Sequence, residues 1–312
     1  MRSGSGARSL SGVLVVDKPA GPTSFEVVRR LRSALGIKKV GHTGTLDPLA
    51  TGLLTLCLNR ATKLVPFLQS GEKEYQGGMI LGLSTDTDDI TGRVTSKKTC
   101  LGIGPRDIIK AAREFIGVIE QVPPVYSAVK FQGRPAYKLA RQGERVPVKS
   151  REVIIHELAV TEINLPRISF YVRVSKGTYI RSLAADLGRR LRTGACLRTL
   201  RRLSSVPFTL DAALPLDEAE DLARAGRLEE RIIPLDQALS FMPKVRISGD
   251  AVHLVENGQP LPLSSLDDFR PQPGPVRIRA KGTGLLAVYK YTPPTGTQDK
   301  ESLTPLRVLG GT

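Results

Sequence analysis

The most informative stretch of the chain is the loop-like segment at residues 41–52, which reads Gly41-His42-Thr43-Gly44-Thr45-Leu46-Asp47-Pro48-Leu49-Ala50-Thr51-Gly52. Glycine allows close backbone approach, and proline restricts the residue before it to extended conformations, so this segment predicts a tight loop that fixes the direction of Asp47. A carboxylate held in this way can act as a nucleophile or a base. On composition alone, an ordinary Asp-Pro turn is the better interpretation.

Periodic segments on both sides of this loop predict strands and helices. Thr23-Ser24 supplies a helix N-cap and Gly36 a stop signal. The predicted helices are residues 25–35, 105–116 and 182–192, and the predicted strands are residues 12–16, 53–58, 78–83, 153–163, 167–174 and 284–291. Strands dominate and do not alternate regularly with helices, which predicts an α+β fold rather than a series of βαβ units.

The charge balance indicates a polyanionic partner. The 312 residues include 46 Lys and Arg against 30 Asp and Glu, a net charge of +16. Residues 130–152 carry seven basic and two acidic residues, and residues 176–202 carry eight and one, with tyrosines among or beside them. One such run is usually a solvated helix face, but two runs in so basic a chain favour RNA or DNA over a membrane surface.

Several classes of protein are disfavoured by what the sequence lacks. No apolar run approaches the ~20 residues that span a bilayer, and residues 1–10 do not lead into a signal-peptide core. The three cysteines form no CxxC pair and the three histidines have no metal-ligand spacing. Residues 36–43 approach a phosphate loop, but His42 stands where that motif needs lysine. We expect a cytoplasmic protein without a metal or cofactor.

Ordered motifs cover roughly residues 12–210. They are residues 12–24, 41–52, 61–63, 73–75, 115–117, 121–130, 176–183 and 200–203, with Thr85, Thr87, Asp89 and Gly92 between them. In order and spacing they resemble the TruB family of tRNA pseudouridine synthases. Asn59 departs from that pattern, since the family usually has glycine there, and residues 1–10 lie outside it.

The resemblance implies the domain organisation. We expect a flexible basic tail at residues 1–10, then a pseudouridine-synthase-like catalytic domain at residues 11–240, built on a mixed, mainly antiparallel sheet flanked by helices. An insertion at about residues 124–152 is expected to clamp RNA. Residues 244–312 resemble a small PUA-like β-barrel that binds RNA. As a separate domain it should be dispensable for folding, so a chain that ends near Met242 should fold and act on a T-arm hairpin.

The resemblance also implies the reaction, which is isomerisation of uridine to pseudouridine at position 55 in the T-loop of tRNA. The target base is flipped out of the folded RNA, the N1–C1′ bond breaks, the uracil turns, and C5 bonds to C1′. No cofactor, metal, membrane or protein partner is implied, and a monomer that binds the T-arm of tRNA is expected.

Three residues carry the implied catalysis. Asp47 attacks C1′ or removes a ribose proton, and both routes stay open. Arg181 is expected to pair with Asp47 and keep it ionised, with a phosphate contact as its alternative role. Tyr75 is expected to stack on the flipped uracil, although alone it reads as a core residue at a strand edge.

The implied substrate-binding residues surround these three. Tyr179 is expected to share a strand end with Arg181, and His42 either fills the space left by the flipped base or braces its loop. Arg201 and Arg202 are expected to contact phosphate or scaffold. The full set is Lys18, Pro19, His42, Tyr179, Lys130, Arg141, Leu200, Arg201 and Arg202.

Two other functions remain open. One is a guide-RNA-dependent enzyme of the dyskerin type, and the other is a non-catalytic module that binds or folds RNA. The short chain favours a stand-alone bacterial type, and the presence of Asp47, Tyr75 and Arg181 favours catalysis.

Overall fold

The fold is described from a computed structural model of the chain. It covers residues 10–127, 149–263, 266, 272–280, 284–293 and 302–309, together with the backbone of residues 130–131 and 134–135. The α-helices of these residues are α1 (Ser24–Leu35), α2 (Val65–Leu68), α3 (Pro105–Arg113), α4 (Ile180–Arg190), α5 (Leu216–Arg224), α6 (Leu235–Ala238) and α7 (Asp250–Glu256).

The strands of the same residues form one large and one smaller sheet, with two short hairpins. They are β1 (Gly12–Lys18), β2 (Val40–His42), β3 (Thr51–Leu58), β4 (Lys73–Leu81), β5 (Leu83–Thr85), β6 (Val94–Lys97), β7 (Gly117–Gln121), β8 (Lys130–Phe131), β9 (Arg134–Pro135), β10 (Arg151–Asn164), β11 (Arg167–Val174), β12 (Ala195–Ser205), β13 (Phe208–Thr209), β14 (Leu214–Pro215), β15 (Lys244–Ile247), β16 (Leu261–Pro262), β17 (Gly274–Ala280), β18 (Gly284–Thr292) and β19 (Ser302–Val308).

The large sheet has the order β14-β1-β3-β12-β4-β11-β10-β7, with β2 on β3 and β13 on β12. Neighbours run antiparallel except for the pairs β1–β14 and β3–β12. The predicted mixed, mainly antiparallel sheet flanked by helices is confirmed. The predicted strand at 78–83 actually begins at Lys73, because pairing on both sides with β11 and β12 outweighs the polar composition of its first half.

Strand β1 shows why this sheet is covered on both faces. Alternate side chains of a strand point to opposite faces. Leu14 and Val16 pack into the core beneath α1, α4 and α5, whereas Val13 and Val15 pack into a second core on the other face. A continuous run of buried aliphatic residues is typical of a strand covered on both sides.

Helix α1 begins and ends where its sequence predicts. Thr23 Oγ1 accepts a hydrogen bond from the Glu26 N–H, and the Glu26 carboxylate accepts one from the Thr23 N–H. This reciprocal capping box satisfies two donors that the first turn leaves free. Gly36 ends the helix in the left-handed conformation, at φ 64°.

The smaller sheet has the order β15-β17-β18-β19-β16 and packs on α7. It is consistent with the predicted PUA-like fold. However, it is not isolated from the large sheet, because Leu285, Val288 and Leu309 are buried in the same core as Val13 and Val15.

Polar contacts reinforce this junction. The Arg277 guanidinium donates to the Met242 carbonyl at 3.0 Å and to the carbonyl and carboxylate of Asp236 at 2.8 and 3.0 Å. Lys63 Nζ donates to the Val308 carbonyl at 3.0 Å. The expectation that a chain ending near Met242 folds unaided does not fit this arrangement, because the two sheets share a hydrophobic core.

Candidate functional site

The loop that carries Asp47 joins β2 to β3 at the centre of the large sheet. Strand β3 runs parallel to β12 there, with Gly52 opposite Arg202. Gly52 has φ 98°, and a Cβ at this position would lie 2.3 Å from the Arg202 carbonyl oxygen. Only glycine therefore allows the loop to leave β3 so close to β12.

Backbone contacts hold the loop on both sides of Asp47. Ser24 Oγ donates to the Leu46 carbonyl at 3.0 Å and accepts from the Leu46 N–H at 2.8 Å. Lys18 Nζ donates to the Pro48 carbonyl at 3.4 Å, and Arg202 Nη2 donates to the Gly44 carbonyl at 3.2 Å. Asp47 is therefore fixed by residues from α1, β1 and β12.

Replacement of Ser24 should loosen this loop. Ser24 is buried, and alanine would leave the N–H and carbonyl of Leu46 without these partners, at a cost of about 1–3 kcal/mol for each buried unpaired group. We expect Ser24→Ala to lower kcat by ~10-fold with little change in KM, because misplacement of a reacting group slows the chemical step. Ser33→Ala, exposed on the same helix, is the matched control. An unchanged kcat in Ser24→Ala would contradict the positioning role.

The structure brings Asp47 and Arg181 together. Arg181 Nη2 donates to Asp47 Oδ1 at 3.1 Å, and Arg181 Nε lies 2.8 Å from Oδ2. The Nε contact is an ion contact rather than an aligned hydrogen bond. The Asp47 side chain is 31% exposed and that of Arg181 only 5%. The carboxylate therefore faces accessible space, with the guanidinium behind it.

Arg181 is held by further oxygen atoms, including those of a residue that sequence reasoning did not assign to the site. Its Nη1 donates to the Thr87 carbonyl and its Nη2 to the Tyr126 carbonyl, both at 2.9 Å. Its Nη1 also lies 3.8 Å from Asp89 Oδ2. Asp89 is itself fixed by the side chains of Thr87 and Thr91. In the sequence, Asp89 was marked only as one of the residues that match the TruB family pattern.

The pKa of Asp47 is not set by Arg181 alone. Burial raises the pKa of the Asp47 carboxyl above its ordinary value, while Arg181 lowers it and the Asp89 carboxylate raises it further. Burial has the largest of these effects, although part of the side chain faces the accessible space. The pair is thus an ion pair whose acid is weaker than a free aspartate.

This direction predicts an acid limb in the pH profile. Asp47 must be ionised to act, so kcat/KM should fall as the pH is lowered, with a midpoint above the ordinary aspartate pKa of 3.8. The expected effect of Asp89→Asn is a shift of that midpoint to lower pH, since it removes a charge that raises the pKa of Asp47. The measurement is kcat/KM from acidic to neutral pH. A limb that moves to higher pH in Asp89→Asn would contradict this assignment.

A cavity of about 570 Å³ lies beside Asp47. Tyr75, Tyr179, Arg181, Leu200 and Arg202 line it with Asp47, so the structure brings together all three predicted catalytic residues and three of the predicted substrate-binding residues. Tyr75 is 6% exposed and stands on β4, between β11 and β12. The interpretation of Tyr75 as a strand-edge residue is therefore wrong, because β4 is interior to the sheet.

Tyr179 and Arg181 do not share a strand end, as expected, but flank the start of a helix. Strand β11 ends at Val174, Tyr179 is the N-cap of α4, and Arg181 lies in its first turn. The predicted helix at 182–192 begins two residues earlier, at Ile180, directly after Tyr179, whose backbone is still extended at φ −100° and ψ 114°. Gln121 fixes this start, since its side chain bonds both the N–H and the carbonyl of Tyr179 at 2.7 and 3.0 Å.

Basic side chains dominate the charge of the cavity. Lys73 lines it and is buried, and burial, with the Arg202 and Lys176 charges, lowers the pKa of Lys73 to about 8. Arg202 is a scaffold residue here, since its Nε donates to the Leu53 carbonyl at 2.6 Å. A cavity with this charge favours an anionic ligand.

Four predicted residues lie outside the cavity lining. Arg201 points to the other face of β12, where its Nη2 pairs with Asp17 Oδ2 at 2.6 Å. Lys18 is buried beneath the loop and Pro19 is exposed. His42 is half-buried on β2, and burial, with Arg202 nearby, lowers the pKa of its imidazole.

Arg141 and the side chain of Lys130 lie outside the described residues, as do residues 1–9 and most of the predicted insertion. Within the described part of the chain, no group of three or more His, Cys, Asp or Glu side chains could hold a metal ion. No helix in the same ranges is long and apolar enough to cross a bilayer.

Two family models match the chain in succession. The TruB family pseudouridylate synthase N-terminal domain matches residues 32–180, and the tRNA pseudouridylate synthase B C-terminal domain matches residues 181–240. Their boundary falls within the start of α4, so both matches lie in the part of the chain built on the large sheet.

Curated relatives match across most of the chain. The tRNA pseudouridine synthase B of Syntrophus aciditrophicus is 42% identical over 286 residues, which are 90% of this chain and 91% of that protein. The enzyme of the same name from Bacillus licheniformis is 40% identical over 305 residues, 96% and 97% of the two chains. That of Nitratidesulfovibrio vulgaris is 47% identical over 252 residues, 80% and 82% of the two.

Solved structures show the same fold. A chain of an H/ACA RNP bound to a substrate RNA containing 2′-deoxyuridine superposes with a TM-score of 0.73 and 27% identity, covering 99% of this chain and 87% of its own. A chain of a Cbf5-Nop10-Gar1 complex gives 0.73 and 29%, covering 96% and 85%. With the two family models and these relatives, the central Asp47 loop and its arginine partner identify the chain as a member of the TruB family of pseudouridylate synthases.

Proposed function

We propose that this chain isomerises uridine to pseudouridine in tRNA, at position 55 of the T-loop. The observation that carries the proposal is the Asp47–Arg181 pair, whose carboxylate faces a cavity lined by Tyr75 and Leu200. Curated relatives with the name tRNA pseudouridine synthase B over most of this chain support tRNA as the substrate.

The geometry suits a base that has left its stack. Tyr75 offers an aromatic ring and Leu200 an aliphatic surface, both on the walls of the cavity that Asp47 faces. A base flipped out of a folded loop loses stacking worth a few kcal/mol, which aromatic contacts in the pocket offset. The uracil is thereby held near the carboxylate while its glycosidic bond is open.

The reaction is an isomerisation in which atoms and electrons balance. The N1–C1′ bond breaks, the uracil turns, a C5–C1′ bond forms, the C5 proton leaves, and N1 gains a proton. Asp47 either attacks C1′ or removes a ribose proton to begin this sequence. Arg181 holds the carboxylate from behind with its planar guanidinium, which also stabilises the ionised form.

The rest of the chain provides affinity for RNA. The net charge of +16 favours binding to phosphate, and we assign Lys130, Arg141 and the insertion at about 124–152 to a clamp on the T-arm. We assign residues 244–312 to a second RNA contact. The protein is proposed to act as a monomer in the cytoplasm, without a cofactor.

The main alternative is a guide-RNA-dependent enzyme. The two solved relatives described above belong to an H/ACA RNP and to a Cbf5-Nop10-Gar1 complex, so chains of this fold also work within assemblies. The second alternative, a non-catalytic RNA-binding module, is disfavoured by the ion pair at an accessible carboxylate.

One assay separates these functions. Free tRNA that carries tritium at C5 of uridine should release the label on incubation with this protein alone, because C5 loses its hydrogen when it bonds to C1′. Release without guide RNA or added protein would support the stand-alone enzyme. Release only with those additions would support the guide-dependent enzyme, and binding without release would overturn catalysis.

A further inference from the structure

Arg151 lies at the end of the insertion assigned to the RNA clamp, but its side chain lines the cavity beside Asp47 and has no individual role yet. It opens β10, and its guanidinium lies over the Tyr179 ring, with Cζ 4.7 Å from the ring centroid. Gln121, opposite Arg151 in the β7–β10 register, fixes Tyr179 through two hydrogen bonds to its backbone. The cation–π contact with Tyr179, whose backbone is held in this way, positions the guanidinium at the cavity.

No carboxylate among the described residues forms an ion pair with Arg151. Its Nε and Nη2 are buried and have no hydrogen-bond partner among the described residues. Arg181 and Arg202, which line the same cavity, differ because each binds carboxylate or carbonyl oxygens. Buried guanidinium nitrogens without an acceptor are unfavourable, so this half-buried side chain suits a negatively charged ligand.

The surroundings of Arg151 add to this preference. Lys176 lines the cavity beside it and supplies a second positive charge. Gly177 also lines the cavity and has φ 84°, a left-handed conformation that favours glycine, and a Cβ there would meet Arg151 Nη1 at 3.6 Å, in ordinary van der Waals contact. The Arg151 guanidinium therefore lies beside the Lys176–Gly177 turn. Glu152 lines the same cavity but forms no ion pair with Arg151 in the described part of the chain.

We propose that Arg151 binds a phosphodiester next to the uridine that enters the cavity. This inference rests on the proposed function, which supplies RNA as the ligand. A guanidinium matches the two oxygens of a phosphate through parallel hydrogen bonds. A uracil carbonyl is the other possible partner, but it carries no charge to compensate the half-buried cation.

The test combines an enzyme variant with an RNA variant. T-arm hairpins are prepared with a neutral methylphosphonate at the phosphate on either side of the target uridine. With the parent enzyme, one of these changes should raise Kd by about tenfold or more, the effect of losing a hydrogen bond to a charged group. On the unmodified hairpin, Arg151→Gln should raise Kd by the same factor. On the hairpin whose methylphosphonate weakens the parent, Arg151→Gln should bind no more weakly than the parent does.

Turnover separates binding from positioning. At saturating hairpin, Arg151→Gln should keep kcat within a few-fold of the parent while KM rises. Arg151→Lys should lie between the two proteins, because it keeps the charge but loses the planar fork. Arg106→Gln, an exposed arginine on α3 away from the cavity, is the control and should retain the full sensitivity to methylphosphonate.

Two results would overturn the proposal. One is a Kd loss in Arg151→Gln that persists in full on both methylphosphonate hairpins, which would mean that the arginine contacts no phosphate there. The other is a fall in kcat with unchanged KM, which would mean that it acts through Tyr179. Thermal melting checks that the variants fold. If Arg151→Gln does not fold, the same comparison is made with Arg151→Lys. Because Kd is measured without turnover, a failure of catalysis in the parent enzyme would be distinguished from a failure of phosphate binding.

Discussion

Asp47→Asn is expected to bind tRNA within a few-fold of the parent protein and to form no detectable pseudouridine. Asparagine keeps the shape of the side chain but removes the charge that Arg181 faces at 2.8 Å and the nucleophilic or basic oxygen. Phosphate contacts elsewhere dominate affinity, so binding should survive. Tritium release and tRNA binding, measured side by side, check both halves of this expectation.

The chain offers a close control for this variant. Asp17 is also a half-buried aspartate paired with an arginine, at 2.6 Å, but it lies outside the cavity lining. Asp17→Asn should retain most of the turnover. Arg181→Lys should be less severe than Asp47→Asn, since a charge remains but the planar fork is lost. Turnover by Asp47→Asn at even about a tenth of the parent rate would refute the role of the carboxylate in the chemical step.

A chain that ends at Met242 is expected to be insoluble or to lose cooperative folding. Truncation removes Leu285, Val288 and Leu309 from the core they share with Val13 and Val15. Each fully buried aliphatic side chain contributes about 1.5–3 kcal/mol, so three of them approach the whole stability of a typical domain, about 5–15 kcal/mol. Soluble expression and thermal or denaturant unfolding measure this effect.

Point variants in the full chain separate the effect of disrupting the shared core from the effect of removing residues 244–312. Val288→Asp places a charge in the shared core and should lower the free energy of unfolding of the large sheet. Lys290→Asp, two residues further along β18 and exposed, should have little effect. A soluble truncated chain with a cooperative unfolding transition would show that the rest of the chain folds without residues 244–312.

The sequence alone determined much of the fold and the centre of the site. Thr23 and Gly36 define the ends of α1 through local hydrogen bonds and backbone conformation, which depend on neighbours in the chain. The Gly41–Gly52 loop and its Asp47 could be recognised because glycine and proline have local conformational effects. The family resemblance predicted Tyr75, Arg181 and Leu200 as site residues, and all three line the cavity.

The different roles of two adjacent arginines could be assigned only from the tertiary structure. The sequence gives no reason to distinguish Arg201 from Arg202, but alternate residues of β12 face opposite sides of the sheet. Arg202 therefore binds the carbonyls of Gly44 and Leu53 beneath the catalytic loop, and Arg201 pairs with Asp17 outside the cavity.

Contacts between distant segments were likewise decided only by the tertiary structure. Asp47 and Arg181 are 134 residues apart, and the strand order that places α4 beside the β2–β3 loop brings them together. The same holds for the bond from Ser24 to Leu46, the contact of Arg181 with Asp89, and the core shared by the two sheets. Local sequence specifies backbone conformation, whereas burial and pairing across the sheet depend on which elements become neighbours when the whole chain folds.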